Sequence, residues 1–420
     1  MMKSKLNILL FSMMAFAGLN FVACSDDDLK ETIFDTTDYP LDRTSYSFPL
    51  DSFLKAEFLE PYNLRFIYRL EDIGSDMNYN LVPTEYEKSV KMAVLAKYLW
   101  YDVYKEVGGS RFLKTYTPHI IHLIGSPAYN PSSGTMKLGE AEGGLKITLY
   151  RCNGLDETNI DQVNEFYFKT MHHEFGHILH QNIIIPTAFV DISNGRYNPL
   201  NWQETHDSIA LSQGFMLQYA ANGKEDDWVE LLANYVVRSD EEWAGMLNTA
   251  YYEWEEDSIQ MQPAAYERLV NKPGVNMDSI GYRTFKDLNS ASGGLAEMGV
   301  IRKKIKRDEN DRPILDENGS IQYILAEDDG GDGVDGKAIL EKKLGMLREW
   351  LLTNFQLDLD ELHYNVQNRQ YVMGTDGRSY VYDANGKPIN KLVQPSQSNP
   401  EITVMDSLLN QVNRFKDLQK

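Results

Sequence analysis

The sequence predicts an α+β fold in which a twisted sheet with an edge strand lies over a long helix, and helices form the C-terminal part. Three observations support this prediction. Residues 145–150 alternate apolar and polar side chains, as an exposed or edge strand does. A capped helical stretch runs from Thr158 to about Asn182. Helical patterning then returns from Ala338 to Arg369.

The acidic composition argues against two classes of partner. The 420 residues include 41 Lys and Arg against 62 Asp and Glu, a net charge of −21. Such a chain suits neither nucleic acid nor an anionic lipid surface, because both require basic partners. The apolar fraction of 42% is enough for a large core. Two cysteines cannot form a disulfide framework, and Cys152 is predicted to be a buried, inert thiol.

The N-terminus has the pattern of a signal peptide over residues 1–23. Lys3 and Lys5 precede an apolar stretch, residues 6–16, that is too short to span a bilayer core of about 30 Å. The stretch leads to Ala23-Cys24, which resembles the bacterial lipoprotein processing box. That resemblance implies that Cys24 is diacylated and becomes the mature N-terminus.

Residues 24–45 are predicted to be an acidic tether. Its first part, Ser25 to Asp28, resembles the acidic signal that directs lipoproteins of Bacteroidetes to the outer face of the outer membrane. We therefore expect a protein that is anchored in the outer membrane through Cys24 and faces the cell surface.

Capping signals and alternation define the elements of residues 46–257, the predicted main domain. Thr84 and Glu87 form a capping box for a helix that Gly108 and Gly109 end. The helical spacing of Met92, Ala96, Leu99 and Val103 predicts its buried stripe. The other predicted elements are a strand over 62–68, a β-rich run over 119–124, a turn-rich loop over 127–144, the strand over 145–150, the helix from Thr158 capped with Asp161, and helices over 227–237 and 241–254.

The rest of the chain is predicted to contain two regions. Residues 258–336 have the charge runs and Asn-Gly turns of an inserted hairpin-and-loop region. The acidic glycine run at 327–333 lacks the glutamate that closes an EF-hand loop, so a flexible loop is favoured over a calcium site. Residues 337–420 are predicted to be a helical subdomain, with hairpin turns at 376–377 and 385–386 and an amphipathic helix over 405–418.

The most specific motif is His173-Glu174-Phe175-Gly176-His177, an H-E-x-x-H on the helix that starts at Thr158. Histidines at i and i+4 share one helix face, so their imidazoles can bind one Zn²⁺ at about 2.0–2.1 Å. Zinc lowers the pKa of water to about 7, and Glu174 can take the proton and later deliver it to a leaving amine. This spacing predicts metalloprotease chemistry.

Two further histidines flank the motif. His172 points off the zinc face and is predicted to be structural. His180 follows His177 by one turn but lies about 10.5 Å along the axis from His173, at about 1.5 Å per residue. The class that breaks its helix with glycine to bring in a third histidine is excluded, because residues 181–186 contain neither residue. We expect His180 either to contact one of the zinc-binding side chains or to have no role.

A third ligand must follow later in the chain. Asp226 and Glu230 are spaced by one helical turn, so one could bind zinc while the other orients a ligand histidine. The residues alone leave the choice open between these two. Asp227, Glu204 and His206 are the weaker alternatives.

Taken together, these segments resemble the zincin-like zinc-binding metallopeptidases, and most closely the substrate-import-associated zinc metallohydrolase lipoproteins of Bacteroidetes. The matching segments are Cys24 with its acidic followers, HHEFGHILHQ at 172–181, Gly214-Phe215, Tyr219-Ala220, residues 226–230 and the helix around 358–362. They extend over most of the mature chain outside 258–336.

The resemblance implies roles for individual residues. In related zincins a tyrosine seven residues before the ligand carboxylate polarises the scissile carbonyl, and Tyr219 lies seven before Asp226. That register makes Asp226 the ligand and Glu230 the orienting acid. The usual ligand is glutamate, so the shorter Asp226 requires its helix to sit closer to the motif.

The resemblance implies a surface metallopeptidase with one Zn²⁺ per chain. Its substrate would be an extended peptide or protein that pairs with the strand at 145–150. It also implies partners, namely a TonB-dependent import channel and its substrate-binding lipoprotein. Nucleic acid is not expected as a partner, because the chain is strongly acidic. The alternatives are a zinc-dependent amidase or deacetylase, and a binding lipoprotein that retains the fold without catalysis.

Overall fold

The computed structural model describes residues 41–70, 79–129, 136–137, 139–142, 146–252, 255–261, 284–287, 296–306, 308, 314–317, 319, 322–325 and 336–419. The predicted signal peptide, Cys24, most of the tether and the acidic run at 327–333 lie outside them. The chain divides into two compact units, Met1–Asp42 and Arg43–Lys420, and every described element belongs to the second. None of the described helices has the length and apolar character needed to cross a bilayer.

A four-stranded mixed sheet in the order β1-β2-β6-β5 forms one layer. Strands β1, β2 and β6 are parallel, and Ile121 of β2 pairs with Phe66 and Ile147. Strand β5 is antiparallel to β6. The strands of this sheet are β1 (Arg65–Ile67), β2 (Ile120–Leu123), β5 (Gly139–Glu142) and β6 (Lys146–Leu149). Between β2 and β5 in the chain, β3 (Ala128–Tyr129) and β4 (Met136–Lys137) form a separate two-stranded sheet.

The prediction that residues 145–150 form the edge strand is wrong. Strand β6 lies between β2 and β5, and Ile147, Thr148 and Leu149 are all buried. Burial on both faces is typical of an internal strand. The edge next to the motif helix is β5, inside the predicted loop at 127–144. Its sequence, GEAE, has no apolar alternation by which it could have been recognised.

Among the described residues, helices account for more of the chain than strands do. The helices are α1 (Phe48–Leu54), which continues through a π-helical turn to Glu60–Tyr62, α2 (Tyr86–Ala96), α3 (Asp102–Tyr116), α4 (Ile160–Val163), α5 (Lys169–Asn182), α6 (Thr187–Ile192), α7 (Asp207–Ser212), α8 (Lys224–Val237), α9 (Asp240–Tyr252), α10 (Gly336–Phe355), α11 (Leu359–Gln370) and α12 (Val404–Asn413). Helix α5 lies against β5, β6 and α8, and α10 and α11 also pack on α8.

The first long helix confirms its predicted stripe but not its predicted cap. Met92, Ala96, Leu99 and Val103 are fully buried. The helix begins at Tyr86 without a side-chain cap, so the Thr84–Glu87 capping box does not form. Gly109 interrupts the helix with φ 78°, as the glycine pair predicts, and helical backbone resumes to Tyr116.

The start of the motif helix differs from the prediction by one residue. The helix is capped by Asn159, whose side chain accepts from the Gln162 amide, and not by Thr158. The chain from Ile160 passes through a π-helical turn, Asn164–Phe168, before α5 begins.

The predicted helical stretch at 338–369 is two helices. They are separated at Gln356, which has φ 52°, and Asp358 caps the second with its side chain. The predicted hairpin turns are present, with Gly377 and Gly386 in the left-handed region. The last helix has a capping box between Thr403 and Asp406.

Part of the region at 258–336 is an antiparallel sheet. Its strands, in the order β10-β9-β7 with β8 also on β9, are β7 (Glu255–Met261), β8 (Thr284–Asp287), β9 (Ala296–Ile305) and β10 (Tyr323–Leu325). Elsewhere, Cys152 is buried without a disulfide, and burial raises the pKa of its thiol to about 12, as expected of an inert cysteine.

Candidate metal centre

The motif helix is anchored in the aromatic core on the face away from α8. Phe175, between the two motif histidines, is fully buried and packs edge-on against Trp100 and Tyr104, with both pairs of ring centroids 4.9 Å apart. His172 is also buried, and its Nδ1 lies 2.9 Å from the Tyr104 hydroxyl, as a structural histidine would. These contacts fix the rotation of α5, which leaves the opposite face of the motif directed at α8.

Three side chains converge where α5 and α8 meet. Nε2 of His173 and Nε2 of His177 are 3.1 Å apart, and Oδ1 of Asp226 lies 4.0 Å from the first and 3.7 Å from the second. In a tetrahedral zinc site with bonds of about 2.0–2.1 Å, ligand atoms are about 3.3 Å apart. Two imidazoles and a carboxylate at these separations fit the donor set and size of a zinc site.

The outward nitrogen of each imidazole has its own partner. Nδ1 of His173 lies 2.9 Å from Oε1 of Glu230, and Glu230 in turn accepts from Asn234 Nδ2 at 2.9 Å. Nδ1 of His177 lies 2.8 Å from Nε2 of His180. With Nδ1 of each ring beside its own neighbour, Nε2 of each ring is left on the side of Asp226.

The carboxylates of the site differ in their surroundings. Burial alone would raise the pKa of Glu230, but the hydrogen bond and charge of His173 lower it to about 2, so Glu230 is ionised. Asp226 is held from outside the site by Asn222, whose Nδ2 donates to Oδ2 at 2.6 Å. The pKa of Glu174 is raised, first by burial and then by the charges of Asp226 and Glu230, against the opposing effect of the histidines.

The structure brings Asp226, and not the weaker alternatives, to the histidine pair. Asp227 points the other way and pairs with Lys343. His206 caps α7, with its Nδ1 2.9 Å from Ser208 Oγ. Glu204 is exposed in a short 3-10 turn. Glu230 reaches the outer nitrogen of His173, which is the place of an orienting acid.

Tyr219 lies beside the motif in the segment that leads into α8. Its ring centroid is 5.9 Å from that of His173 and 4.9 Å from that of Trp202. Burial raises the pKa of its phenol, and the charges of Asp226 and Glu174 add to this effect. A hydrogen bond to Asp226 acts in the same direction, so the hydroxyl is protonated near neutral pH and can donate.

Close approach of the two helices depends on Gly176. A Cβ at this position would lie 2.8 Å from Cγ1 of Val229 on α8, which is closer than carbon atoms pack. The short side chain of Asp226 predicts that α8 lies close to the motif, but Gly176, which permits this approach, was not predicted. Asn222 and Asn234 were also missed. Each is one helical turn from its carboxylate, and that spacing was the available signal.

Comparison with known proteins assigns the family. Residues 44–360 match the family model described as "Putative zinc-binding metallo-peptidase". A solved structure, that of a putative zinc-binding metallo-peptidase from Bacteroides caccae ATCC 43185, is 30% identical and superposes with a TM-score of 0.51, covering 76% of this chain and 91% of its own. None of the curated proteins compared with the chain matches it. The chain therefore belongs to the family of putative zinc-binding metallopeptidases.

Proposed function

We propose that the protein is a zincin-like zinc metallopeptidase that hydrolyses peptide bonds with Glu174 as general base. The observation that carries the proposal is the convergence of His173, His177 and Asp226, with one ligand atom of each within 4.8 Å of the others. The motif glutamate lies on the same helix as the two histidines. One zinc ion per chain would be held by these three side chains.

When bound, the zinc would supply a Lewis acid that lowers the pKa of water to about 7. The residues around it would position the ligands. Glu230 lies 2.9 Å from Nδ1 of His173, His180 lies 2.8 Å from Nδ1 of His177, and Asn222 donates to Asp226. Partners of this kind fix the tautomer of a ligand histidine and raise its basicity.

Glu174 and Tyr219 would act on the substrate. Glu174 would take a proton from the attacking water and return it to the leaving amine, and burial raises the pKa of its carboxyl in the metal-free chain. The Tyr219 hydroxyl would donate to the carbonyl oxygen as negative charge develops there. Glu174 is buried and Tyr219 is half-buried, and such interactions are stronger in these surroundings than in water.

The substrate would bind in extended form along the edge of the sheet. Strand β5 supplies this edge, and α5 lies directly against β5. An added strand gains backbone hydrogen bonds regardless of its sequence, which suits a peptidase. The substrate segment is thus proposed to pair with residues 139–142 rather than 145–150.

We further propose that the enzyme is anchored in the outer membrane by lipid on Cys24 and faces the cell surface. The support is the signal-peptide pattern and the acidic residues after Cys24. Its substrate would be a peptide or protein handled near a TonB-dependent import channel and its substrate-binding lipoprotein.

Profiling of cleavage on an unbiased peptide mixture tests the activity. We expect the zinc-loaded wild type to cleave peptides. Glu174→Gln should keep its zinc and lose about 10²–10⁴-fold in kcat/KM, because the amide cannot accept the proton. A chelator-treated sample is the control.

Turnover that survives Glu174→Gln would contradict the role of Glu174. A zinc-loaded wild type inert on every peptide, but active on acylated or amide substrates, would favour an amidase or deacetylase. Inertness on all of them would favour a binding protein.

A further inference from the structure

A lysine from the C-terminal half is buried directly behind the metal centre. Lys343, on α10, has no exposed surface. Its ammonium group donates to both carboxylate oxygens of Asp227, at 2.6 and 2.9 Å, and to the carbonyl oxygen of Gly214 at 2.8 Å. Asp227 also accepts from the Tyr197 hydroxyl at 3.0 Å. All three N–H donors of the lysine thus have acceptors nearby.

These contacts attach α10 to both segments that build the site. Asp227 follows Asp226 in the first turn of α8. Gly214 begins the segment that leads through Tyr219 into the same helix. One ammonium group therefore links the backbone next to the third ligand with the backbone before the tyrosine.

Close packing also holds α10 against the segments that build the site. A Cβ at Gly214, where φ is +83°, would lie 2.3 Å from Cγ2 of Ile339 on α10. A Cβ at Gly336 would lie 2.1 Å from the carbonyl oxygen of Leu211. The lysine nitrogen also lies 4.5 Å from the ring centroid of Phe215, within the range of a cation–π contact.

Net stability does not explain such a pair well. A buried ion pair roughly breaks even against apolar residues of the same shape, because desolvation offsets the attraction. Its directional hydrogen bonds, in contrast, define where the joined elements lie. Asp226 is one methylene shorter than glutamate, so it depends more strongly on the position of its backbone.

We propose that Lys343 is a positioning residue for the metal centre, which holds Asp226 at ligand distance through Asp227 and places the Tyr219 segment through Gly214. This inference rests on the proposed zinc function. It concerns residues that contact neither the metal nor the substrate.

The test compares zinc affinity with stability in three variants. Lys343→Met removes the charge and keeps the length. The double variant Asp227→Asn with Lys343→Met removes both charges and keeps the acceptor for Tyr197. Met405→Ala is the matched control, because Met405 is buried on α12, which packs on α1 and α2. The measurements are zinc affinity by competition with a coloured chelator, the absorption spectrum of the Co²⁺-substituted protein, and the melting temperature of the metal-free chain.

We expect both Lys343 variants to bind zinc about 10-fold more weakly and to show an altered Co²⁺ spectrum, since supporting residues around a metal contribute on this scale. The double variant should melt near the wild type. Met405→Ala should melt lower with unchanged affinity and spectrum. A folded double variant within about twofold of wild-type affinity, with the wild-type Co²⁺ spectrum, would overturn the role of Lys343.

The remaining outcomes also decide the question. If the double variant fails to fold while Met405→Ala folds, the pair serves the fold and not the site, and the inference is wrong. If the wild type itself binds no zinc, the proposed function fails and leaves nothing for Lys343 to position. If the wild type binds zinc and the Lys343 variants bind it equally well, the role of Lys343 is wrong and the proposed function stands.

Discussion

At the scale of single residues, the two histidines of the motif are supported by different chemistry. His173 faces an ionised carboxylate, Glu230, whereas His177 faces a second imidazole, His180. Burial lowers the pKa of His180, and the charge of His177 lowers it further, to about 4. The ring is therefore neutral and can accept a hydrogen bond. A carboxylate on both sides would have placed one more negative charge around a site that already has Asp226 and Glu174.

The third ligand and the orienting acid can be told apart by substitution. Asp226→Ala should lose zinc outright, because it removes a donor. Glu230→Ala should weaken zinc binding by about 10–100-fold, because it removes only the partner of His173. Zinc content after gel filtration and affinity by chelator competition are the measurements. Glu225→Ala, a half-exposed change in the same helical turn, is the control. The reverse order of losses would make Glu230 the ligand.

His180 offers a second test at this scale. His180→Ala should weaken zinc binding by about 10-fold, because His177 loses the acceptor for its Nδ1–H. His180→Gln places an amide oxygen near the position of Nε2, so it should restore most of the affinity. Gln181→Ala, exposed on the next position of the helix, serves as the control. Equal affinity in the alanine and glutamine variants would show that His180 does not support His177.

At the scale of elements, the distance between α5 and α8 controls the site. Gly176→Ala should favour the helix itself by up to about 1 kcal/mol, since alanine is the better helix former. Its methyl group would nevertheless collide with Val229 and push α8 outwards. We expect weaker zinc binding without a loss of helix content, measured by chelator competition and circular dichroism. Adding Val229→Ala should restore binding. Failure of that rescue would argue against contact between the helices as the cause.

The sequence predicted those elements whose own pattern carries the signal. The stripe that runs from α2 through a π-helical turn into α3, the motif helix and the turns at Gly377 and Gly386 depend on neighbours a few residues away, so local spacing was sufficient. Strand β5 has no apolar alternation, and its place beside β6 comes from pairing alone. The break at Gln356 was hidden because the patterning on both of its sides is helical.

The candidate site shows the same division. His173, Glu174 and His177 lie in one motif, and Asp226 and Glu230 are one turn apart, so their spacing pointed to them. The packing of Gly176 on Val229 and the contact of Lys343 with Asp227 join helices that are distant in sequence. No local pattern contains such contacts, because they depend on how the elements pack.

At the scale of the whole molecule, we predict that Cys24 decides where the enzyme acts. Cys24→Ser should remove the lipidation site and release the mature chain from the membrane, because anchoring depends on acyl chains at about 0.8 kcal/mol per buried CH₂. Membrane fractionation and surface proteolysis of intact cells would measure this. Cys152→Ser is the control, since that thiol is buried inside the folded unit. A Cys24→Ser protein that stays in the membrane fraction would contradict the anchor.

The position of Lys343 far along the chain has a consequence for biogenesis. The lysine follows Asp227 by 116 residues, and the reciprocal amide pair of Asn164 with Gln370 spans 206. In a polypeptide that is exported N-terminus first, as we propose, the side chains proposed to bind the metal emerge long before the helices that hold them in place. We expect such a nascent protease to remain inactive in transit and to mature only after its last helices have docked, when its own unfolded segments are no longer available for cleavage.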